Sequence, residues 1–283
     1  MASSRVVTGP ALIVAVAGLA LALLSAGDAS LFLVDTKVAV LVSFGAVLCA
    51  VAARFTRSWV ALFQDIAPAY CLVLMLTEIV QFVSNLSNIE DAGVVVFPVF
   101  SVAWLLPFYG LLAVGVTRPF MSSSVDSPSS KLSAGLGVLL LWLAILFAVL
   151  SRVGAEVFLN QSALLCTLGG VVFFLAVDVF RGQADPGSWR DRLLGLGSAG
   201  FFGGTLEAFV VADSLPEIVA AMLWSFTSML YALSLLLTAR FLFPHTVISS
   251  SRQGMGLGFL SLTVPVWLGS FVHLYILQVF FSV

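Results

Sequence analysis

Two glutamates lie inside long apolar stretches of the sequence, where a carboxyl group is available for proton chemistry. Glu78 and Glu207 each lie several residues inside the end of their stretch. Gln81 follows Glu78 by three residues, so a helix would place both side chains on one face. An ionisable group is costly to bury in lipid and is a functional candidate for that reason. We therefore predict that Glu78, Gln81 and Glu207 bind a proton or a cationic group.

These carboxyl groups also have a structural interpretation. A protonated or hydrogen-bonded carboxyl group can fasten two helices together without taking part in any reaction. The substitutions Glu78→Gln and Glu207→Gln separate the two interpretations. They should abolish coupled transport and leave expression intact if the carboxyl groups carry protons.

The apolar stretches predict an all-α fold, a polytopic membrane bundle of nine helices. Hydrophobic residues make up 61% of the chain and charged residues 9%, whereas a soluble domain is usually about 25% charged. About 20 apolar residues are needed to cross a bilayer. Nine segments meet that length: Val7–Ala26, Leu31–Ala53, Trp59–Val83, Gly93–Val116, Ser133–Ser151, Val157–Phe180, Leu193–Ala212, Glu217–Phe243 and Leu257–Phe281.

The positive charges predict an orientation for this bundle. If every segment crosses the membrane, ten of the twelve Lys and Arg residues fall in loops on one side, and only Lys37 and Arg152 fall on the other. Short loops rich in Lys and Arg stay in the cytoplasm. We therefore expect a multi-pass protein, in the plasma membrane by default, with its N-terminus cytoplasmic and its C-terminus outside. The alternative that the first segment is a cleaved signal peptide, ending near Ser25 and Ala26, leaves this orientation unchanged.

A Ser-rich stretch near the middle of the chain suggests two halves. The predicted parts are a first bundle over residues 1–116, a cytoplasmic linker over 117–132, a second bundle over 133–243, and a loop with the ninth span over 244–283. Ser58-Trp59 and Glu78 align with Ser188-Trp189 and Glu207, which favours a parallel 4+4 repeat plus one extra helix.

Prolines, aromatic residues and glycines point to a pathway between the helices. Proline frees a backbone carbonyl group and can kink a helix, and small residues let helices approach closely. The predicted pathway or gating residues are Pro98, Trp104, Pro107, Tyr109, Gly200, Gly203 and Gly204. Structural kinks and tight helix packing are the alternative interpretation of the same residues.

The remaining reactive residue types argue against several classes of protein. Cys49, Cys71 and Cys166 lie singly in apolar segments, with no spacing for zinc or an iron–sulfur cluster. His245 and His273 are poorly placed to ligate haem as a pair. We predict no catalytic residues, no metal and no cofactor. No basic patch is large enough to indicate nucleic acid as a partner.

These observations favour a small secondary transporter or permease, coupled to protons through its intramembrane carboxyl groups. The alternative is a membrane-embedded sensor, regulatory or partner-binding domain, such as a short relative of a longer membrane protein. A third hypothesis is a membrane enzyme acting on a lipid substrate, although no catalytic motif supports it. The expected partners are the lipid bilayer and a small-molecule or ion substrate. A homo-oligomer or a partner subunit is left open.

Overall fold

The described part of the protein is all helical. The computed structural model describes residues 59–86, 99–100, 103–107, 110, 135–136, 138–139, 142–143, 158–182, 189–211, 214–242 and 255–282. Five long helices account for most of them: α1 (Trp59–Asn85), α2 (Gln161–Arg181), α3 (Trp189–Val210), α4 (Leu215–Leu242) and α5 (Met255–Ser282).

The five helices coincide with five of the segments predicted from the sequence, the third and the sixth to ninth. The all-α prediction is therefore confirmed for the described residues. The first two predicted segments lie outside these residues, and the fourth and fifth are described only in part. The count of nine spans and the internal repeat have no support in the described residues.

Among the described residues, three helices are long and apolar enough to cross a membrane: Gln161–Arg181, Trp189–Val210 and Leu215–Ala239. Two shorter apolar stretches, Ala69–Asn85 and Leu268–Phe281, belong to α1 and α5. These lengths and compositions are compatible with a membrane location, because a helix of about 20 apolar residues spans the hydrocarbon core.

Local signals set both ends of α2. The side chain of Asn160 accepts a hydrogen bond from the backbone N–H of Ala163 at 2.9 Å, which satisfies one of the free donors in the first turn. At the other end Gly182 takes a left-handed conformation with φ of 62°, and its N–H donates to the carbonyl group of Val179. Glycine favours this position because it has no Cβ to clash.

Helix α4 is the centre of the described bundle. It packs against α1, α2 and α3, and 72% of the residues in its apolar stretch are buried. Only 17% are buried in α2, where Ala163, Thr167 and Asp178 face the protein. In a membrane protein the exposed apolar side of α2 suits contact with lipid, because lipid does not penalise apolar surface.

Helices α3 and α4 approach closely along one row of glycines. A Cβ atom added at any of the three buried glycines of α3 would lie 2.5–2.6 Å from a side-chain atom of α4. The facing pairs are Gly197 with Ala232, Gly200 with Ser228, and Gly204 with Ser225. Small residues allow this contact, since helices in lipid associate by van der Waals packing of their backbones.

The contacts also fix the relative directions of the helices. Along the glycine row the residue numbers rise on α3 as they fall on α4, so these two helices are antiparallel. Helices α2 and α3 are antiparallel as well, because Gly170 lies against Leu196 while Asp178 binds Arg192. Helix α5 runs parallel to α3. These directions are those of consecutive membrane crossings.

An ion pair joins α2 to α3 near the connection between them. The guanidinium group of Arg192 donates to both carboxylate oxygens of Asp178 at 2.8 Å. Arg192 also lies over the rings of Phe174 and Trp189, with its Cζ 5.2 and 5.6 Å from the ring centroids. The pair therefore joins two consecutive helices, with the carboxylate on α2 and the guanidinium group on α3.

The glycine row predicts that Gly204→Ala destabilises the protein. The new methyl group would meet backbone atoms of α4, including the carbonyl oxygen of Ala221 at 2.7 Å, so the helices must separate. We expect a loss of about 1–3 kcal/mol in unfolding free energy, measured by thermal unfolding of the purified protein.

Gly195→Ala is the matched control for this substitution. A Cβ at this exposed position of α3 meets no atom within 4 Å, so the change should be neutral or stabilising by up to about 1 kcal/mol. Equal melting temperatures for the two variants would contradict the packing role of Gly204.

The ion pair predicts that Asp178→Asn weakens the contact between α2 and α3. The carboxylate is only 7% exposed, so its loss leaves the guanidinium group of Arg192 poorly compensated. We expect destabilisation by about 1–3 kcal/mol in the same unfolding assay. Asp191→Asn is the control, because Asp191 is exposed in the first turn of α3. A larger effect of the control would show that the pair contributes nothing.

Candidate functional site

A buried histidine lies among three helices in the interior of the described bundle. His273 of α5 is fully buried, and its Nε2 atom lies 3.2 Å from the hydroxyl group of Ser225 on α4. The hydroxyl group of Thr205 on α3 lies 3.4 Å from the same atom. An imidazole ring and two hydroxyl groups from three helices therefore meet in one place.

Two of the three cluster residues lie well inside their helices, and Thr205 lies five residues before the end of α3 at Val210. Ser225 lies ten residues after the start of α4 at Leu215, and His273 lies nine residues before the end of α5 at Ser282. At 1.5 Å per residue, about 15 Å of helix separates each from its end, roughly half of a bilayer core of about 30 Å. A polar group at this depth is costly unless it is hydrogen-bonded.

The hydrogen bonds of His273 determine its neutral tautomer. The Nδ1 atom lies 2.7 Å from the carbonyl oxygen of Gly269, and a carbonyl oxygen only accepts hydrogen bonds. In the neutral ring Nδ1 therefore carries the proton and Nε2 is an acceptor. The two hydroxyl groups that face Nε2 also lie within hydrogen-bonding distance of backbone carbonyl groups of their own helices, Phe201 at 2.8 Å and Ala221 at 3.2 Å.

Aromatic rings enclose the imidazole. The ring centroids of Phe226 and Phe201 lie 4.7 and 5.6 Å from that of His273. Phe201 is accommodated because residue 269 is a glycine, since a Cβ there would lie 1.9 Å from the phenyl ring. Next to Gly269, the hydroxyl group of Ser270 accepts a hydrogen bond of 3.1 Å from the indole N–H of Trp104.

Three further polar atoms are buried on α2 and α4. Within the described residues Thr167 Oγ1, Trp224 Nε1 and Ser228 Oγ have no hydrogen-bond partner. Ser228 faces Gly200, and the indole ring of Trp224 lies 3.3 Å from the Cβ position of Gly203. Buried polar atoms are nearly always hydrogen-bonded in proteins, so such atoms need an explanation. Ser228 and Trp224 thus lie at two of the glycines predicted to line a pathway, Gly200 and Gly203.

The carboxyl groups predicted from the sequence lie in different surroundings. Glu78 is half-buried on α1, and Gln81 is buried one turn further along the same helix. Glu207 is exposed on α3, three residues before the end of that helix at Val210. None of the described contacts joins Glu78 to Glu207. Their predicted role as proton-binding groups stays a prediction.

The predicted pathway residues are described in part. Trp104 is half-buried and binds Ser270 of α5, while Pro107 is buried in the same short helical segment. Pro98 and Tyr109 lie outside the described residues. Gly200 and Gly204 pack against α4, and Gly203 is half-buried against Trp224. The close-packing interpretation of these glycines therefore agrees with their contacts.

Sequence reasoning missed the cluster around His273. The histidine was considered only as a haem ligand, and Ser225 and Thr205 were not considered at all. One signal was available, since His273 is an ionisable residue within a predicted span. The hydroxyl groups gave no signal, because serine and threonine are common in membrane helices and usually bind their own backbone.

Metal binding has no support in the described part of the chain, which contains no group of three or more His, Cys, Asp or Glu residues able to hold an ion. Cys71 and Cys166 are free thiols there. No protein family matches this chain, and no curated protein or solved structure is significantly similar to it. The functional argument therefore depends on the site alone.

The enclosed position of His273 predicts that His273→Ala is strongly destabilising. The change removes a ring packed between Phe201 and Phe226 and leaves a cavity, which typically costs about 2–5 kcal/mol. Tyr275→Ala is the control, because Tyr275 is 64% exposed on the same helix and should change stability much less. Thermal unfolding of both variants in one detergent measures the difference. A control that melts as early as His273→Ala would contradict the burial argument.

Proposed function

We propose that this protein is a multi-pass integral membrane protein that works as a small secondary transporter or permease. The observation that carries the proposal is the polar cluster of His273, Ser225 and Thr205, where the membrane-length helices α3 and α4 meet the apolar helix α5. Polar groups at this depth are costly and usually mark a substrate or ion pathway. Transporters commonly bind their substrate near the middle of the membrane.

The polar atoms near the glycine row support a path that leads to this cluster. Ser228 lies one turn from Ser225 on α4, and Trp224 lies beside Ser225. The hydroxyl group of Ser228 and the indole N–H of Trp224 have no hydrogen-bond partner in the described residues, so a polar solute would satisfy them. Gly200 and Gly203 let Ser228 and Trp224 approach α3 closely because they carry no side chain.

The intramembrane glutamates keep a part in this proposal. Glu78 and Gln81 lie on α1, which packs against both α4 and α5. Glu207 is exposed near the end of α3, where it is accessible to a proton or a cationic group. In this arrangement the glutamates bind the proton or cationic group as it enters and leaves the protein, and His273 binds it in the interior.

The proposed topology is the one that the sequence predicts. It has nine spans, a cytoplasmic N-terminus and an outer C-terminus in the plasma membrane, with two parallel four-helix halves and one extra span. The alternating directions of α2, α3, α4 and α5 support the part of this topology that falls on the described helices. Sorting of the Lys and Arg residues to one side supports the orientation.

The proposal predicts that a small solute stabilises the purified protein. A library of amino acids, organic cations, organic anions and sugars is screened by thermal unfolding between about pH 5 and 8. A ligand at 100 times its Kd should add about 2.7 kcal/mol to the unfolding free energy. Glu78→Gln, Glu207→Gln and His273→Gln should reduce the shift or its pH dependence, whereas Tyr275→Phe should leave both unchanged.

Uptake of the stabilising compound into proteoliposomes then tests transport itself. Accumulation driven by a pH gradient, and lost in the Gln variants, would support a proton-coupled carrier. A compound that binds but never crosses the membrane would contradict the transporter function.

A partner-binding domain is the second candidate function. It is favoured by the exposed face of α2, which carries the large apolar residues Leu165, Leu168, Val172, Phe173, Leu175, Val179 and Phe180. Exposed apolar surface of this extent suits lipid and a helical partner equally. Partner binding would be supported if no compound shifts the melting temperature and substitutions on this face change the assembly size of the purified protein.

A further inference from the structure

We infer that the His273 cluster is a proton-binding site with two complete hydrogen-bond arrangements. When the proton binds, the hydroxyl group of Ser225 changes its hydrogen-bond partner, and this change takes place at the contact between α3 and α4. This inference rests on the proposed transporter function and names the coupling ion as a proton. It assigns the binding of that proton to a histidine in the interior, in addition to the glutamates predicted from the sequence.

In the protonated arrangement every polar atom of the cluster has a partner. The Nδ1–H of His273 donates to the carbonyl group of Gly269. The Nε2–H donates to the lone pairs of the two hydroxyl groups, at 3.2 Å for Ser225 and 3.4 Å for Thr205. The protons of these hydroxyl groups go to the carbonyl oxygens of Ala221 and Phe201. Both hydroxyl groups act as acceptors toward the ring and as donors toward their own helices.

In the neutral arrangement one hydroxyl proton must turn. Nε2 now offers a lone pair, and a hydroxyl group has one proton to donate. Ser225 is the group that turns, because its distances to Ala221 O and to Nε2 are both 3.2 Å. Thr205 keeps its shorter bond of 2.8 Å to the carbonyl group of Phe201. Proton binding therefore forms one N–H bond at Nε2 with a proton from bulk water, and rotates one O–H bond.

The described groups that face the imidazole are uncharged. They are the hydroxyl groups of Thr205 on α3 and Ser225 on α4, the rings of Phe201 and Phe226, and the carbonyl group of Gly269. On the helices around α5, the charged residues whose side chains the structure describes are Glu78 on α1, Arg190, Asp191, Arg192 and Glu207 on α3, and Glu217 on α4. Glu78 is the half-buried carboxyl group of this set that lies on a helix packed against α5.

Ser225 connects the proton to helix packing because it takes part in both. Its Oγ atom lies 2.5 Å from the Cβ position of Gly204, at one of the close contacts between α3 and α4. When the hydroxyl proton of Ser225 turns from the carbonyl oxygen of Ala221 to Nε2 of His273, the charge distribution at this contact changes. Two discrete hydrogen-bond patterns at a tight helix contact are a bistable element that a ligand can bias.

The test is nuclear magnetic resonance of the full chain labelled with ¹⁵N-histidine in lipid nanodiscs, scanned from about pH 4 to 9. His245→Gln leaves His273 as the one histidine of the chain. At high pH we expect the proton on Nδ1. On acidification the Nε2 resonance should move to that of a protonated ring. If His245→Gln does not fold, the titration of His273 is followed in the unsubstituted chain. Its signals are then identified as those that disappear in His273→Gln.

Ser225→Ala isolates the role of the hydroxyl group. A hydrogen bond to a charged ring is roughly twice as strong as one to a neutral ring, so the protonated-to-neutral ratio at a given pH should fall about fivefold. Tyr275→Phe, on the exposed side of the same helix, should leave the titration curve unchanged.

Three results would overturn the inference: a neutral ring with its proton on Nε2, a ring that does not titrate over this range, or an unchanged curve in Ser225→Ala. These outcomes are separate from the fate of the transporter proposal. A titrating His273 in a protein that no solute stabilises would contradict transport and leave the proton site intact. A stabilising solute together with a non-titrating His273 would contradict the proton site and leave the transporter proposal intact.

Discussion

The close approach of α3 to α4 is the constraint on which the rest of the described structure depends. It exists because Gly197, Gly200 and Gly204 present no side chain to α4. With the helix backbones this near, Ser225 of α4 and Thr205 of α3 reach the same imidazole nitrogen. Moving the helices apart by one methyl group would disturb these contacts. The polar cluster is therefore a consequence of the packing, and α4 can contact three other helices because its neighbours come close.

Glycine has two opposite uses in this small bundle. On α3 it lets two helix backbones come together. On α5 the single residue Gly269 instead admits a large ring, because the phenyl group of Phe201 occupies the place of its missing side chain. The same ring then packs against His273, so Gly269 contributes to the site by its carbonyl oxygen and by its lack of a Cβ atom. Exposed Gly195 shows neither use, and its surroundings are open.

The sequence predicts the helices well and the faces of the helices poorly. Apolar runs of sufficient length located five helices to within a few residues, as at Trp59 for α1, because length is what a bilayer demands. A helix that is apolar on every side carries no periodic signal for which side meets its neighbours. For that reason the glycine row was visible as spacing, while the meeting of Thr205, Ser225 and His273 was not. Asp178 illustrates the same limit, since its partner Arg192 belongs to the next helix.

Five hydroxyl groups described within the helices bind a carbonyl group one turn earlier in their own helix. Thr77 binds Val73, Thr205 binds Phe201, Ser225 binds Ala221, Thr227 binds Leu223 and Thr238 binds Ser234. A helix that satisfies its own polar side chains needs no neighbour in order to be soluble in lipid. If the helices are inserted into a membrane one after another, these five side chains are satisfied before the helices meet. His273 is different in this respect, since the partners of its second nitrogen belong to α3 and α4 and are available only after assembly.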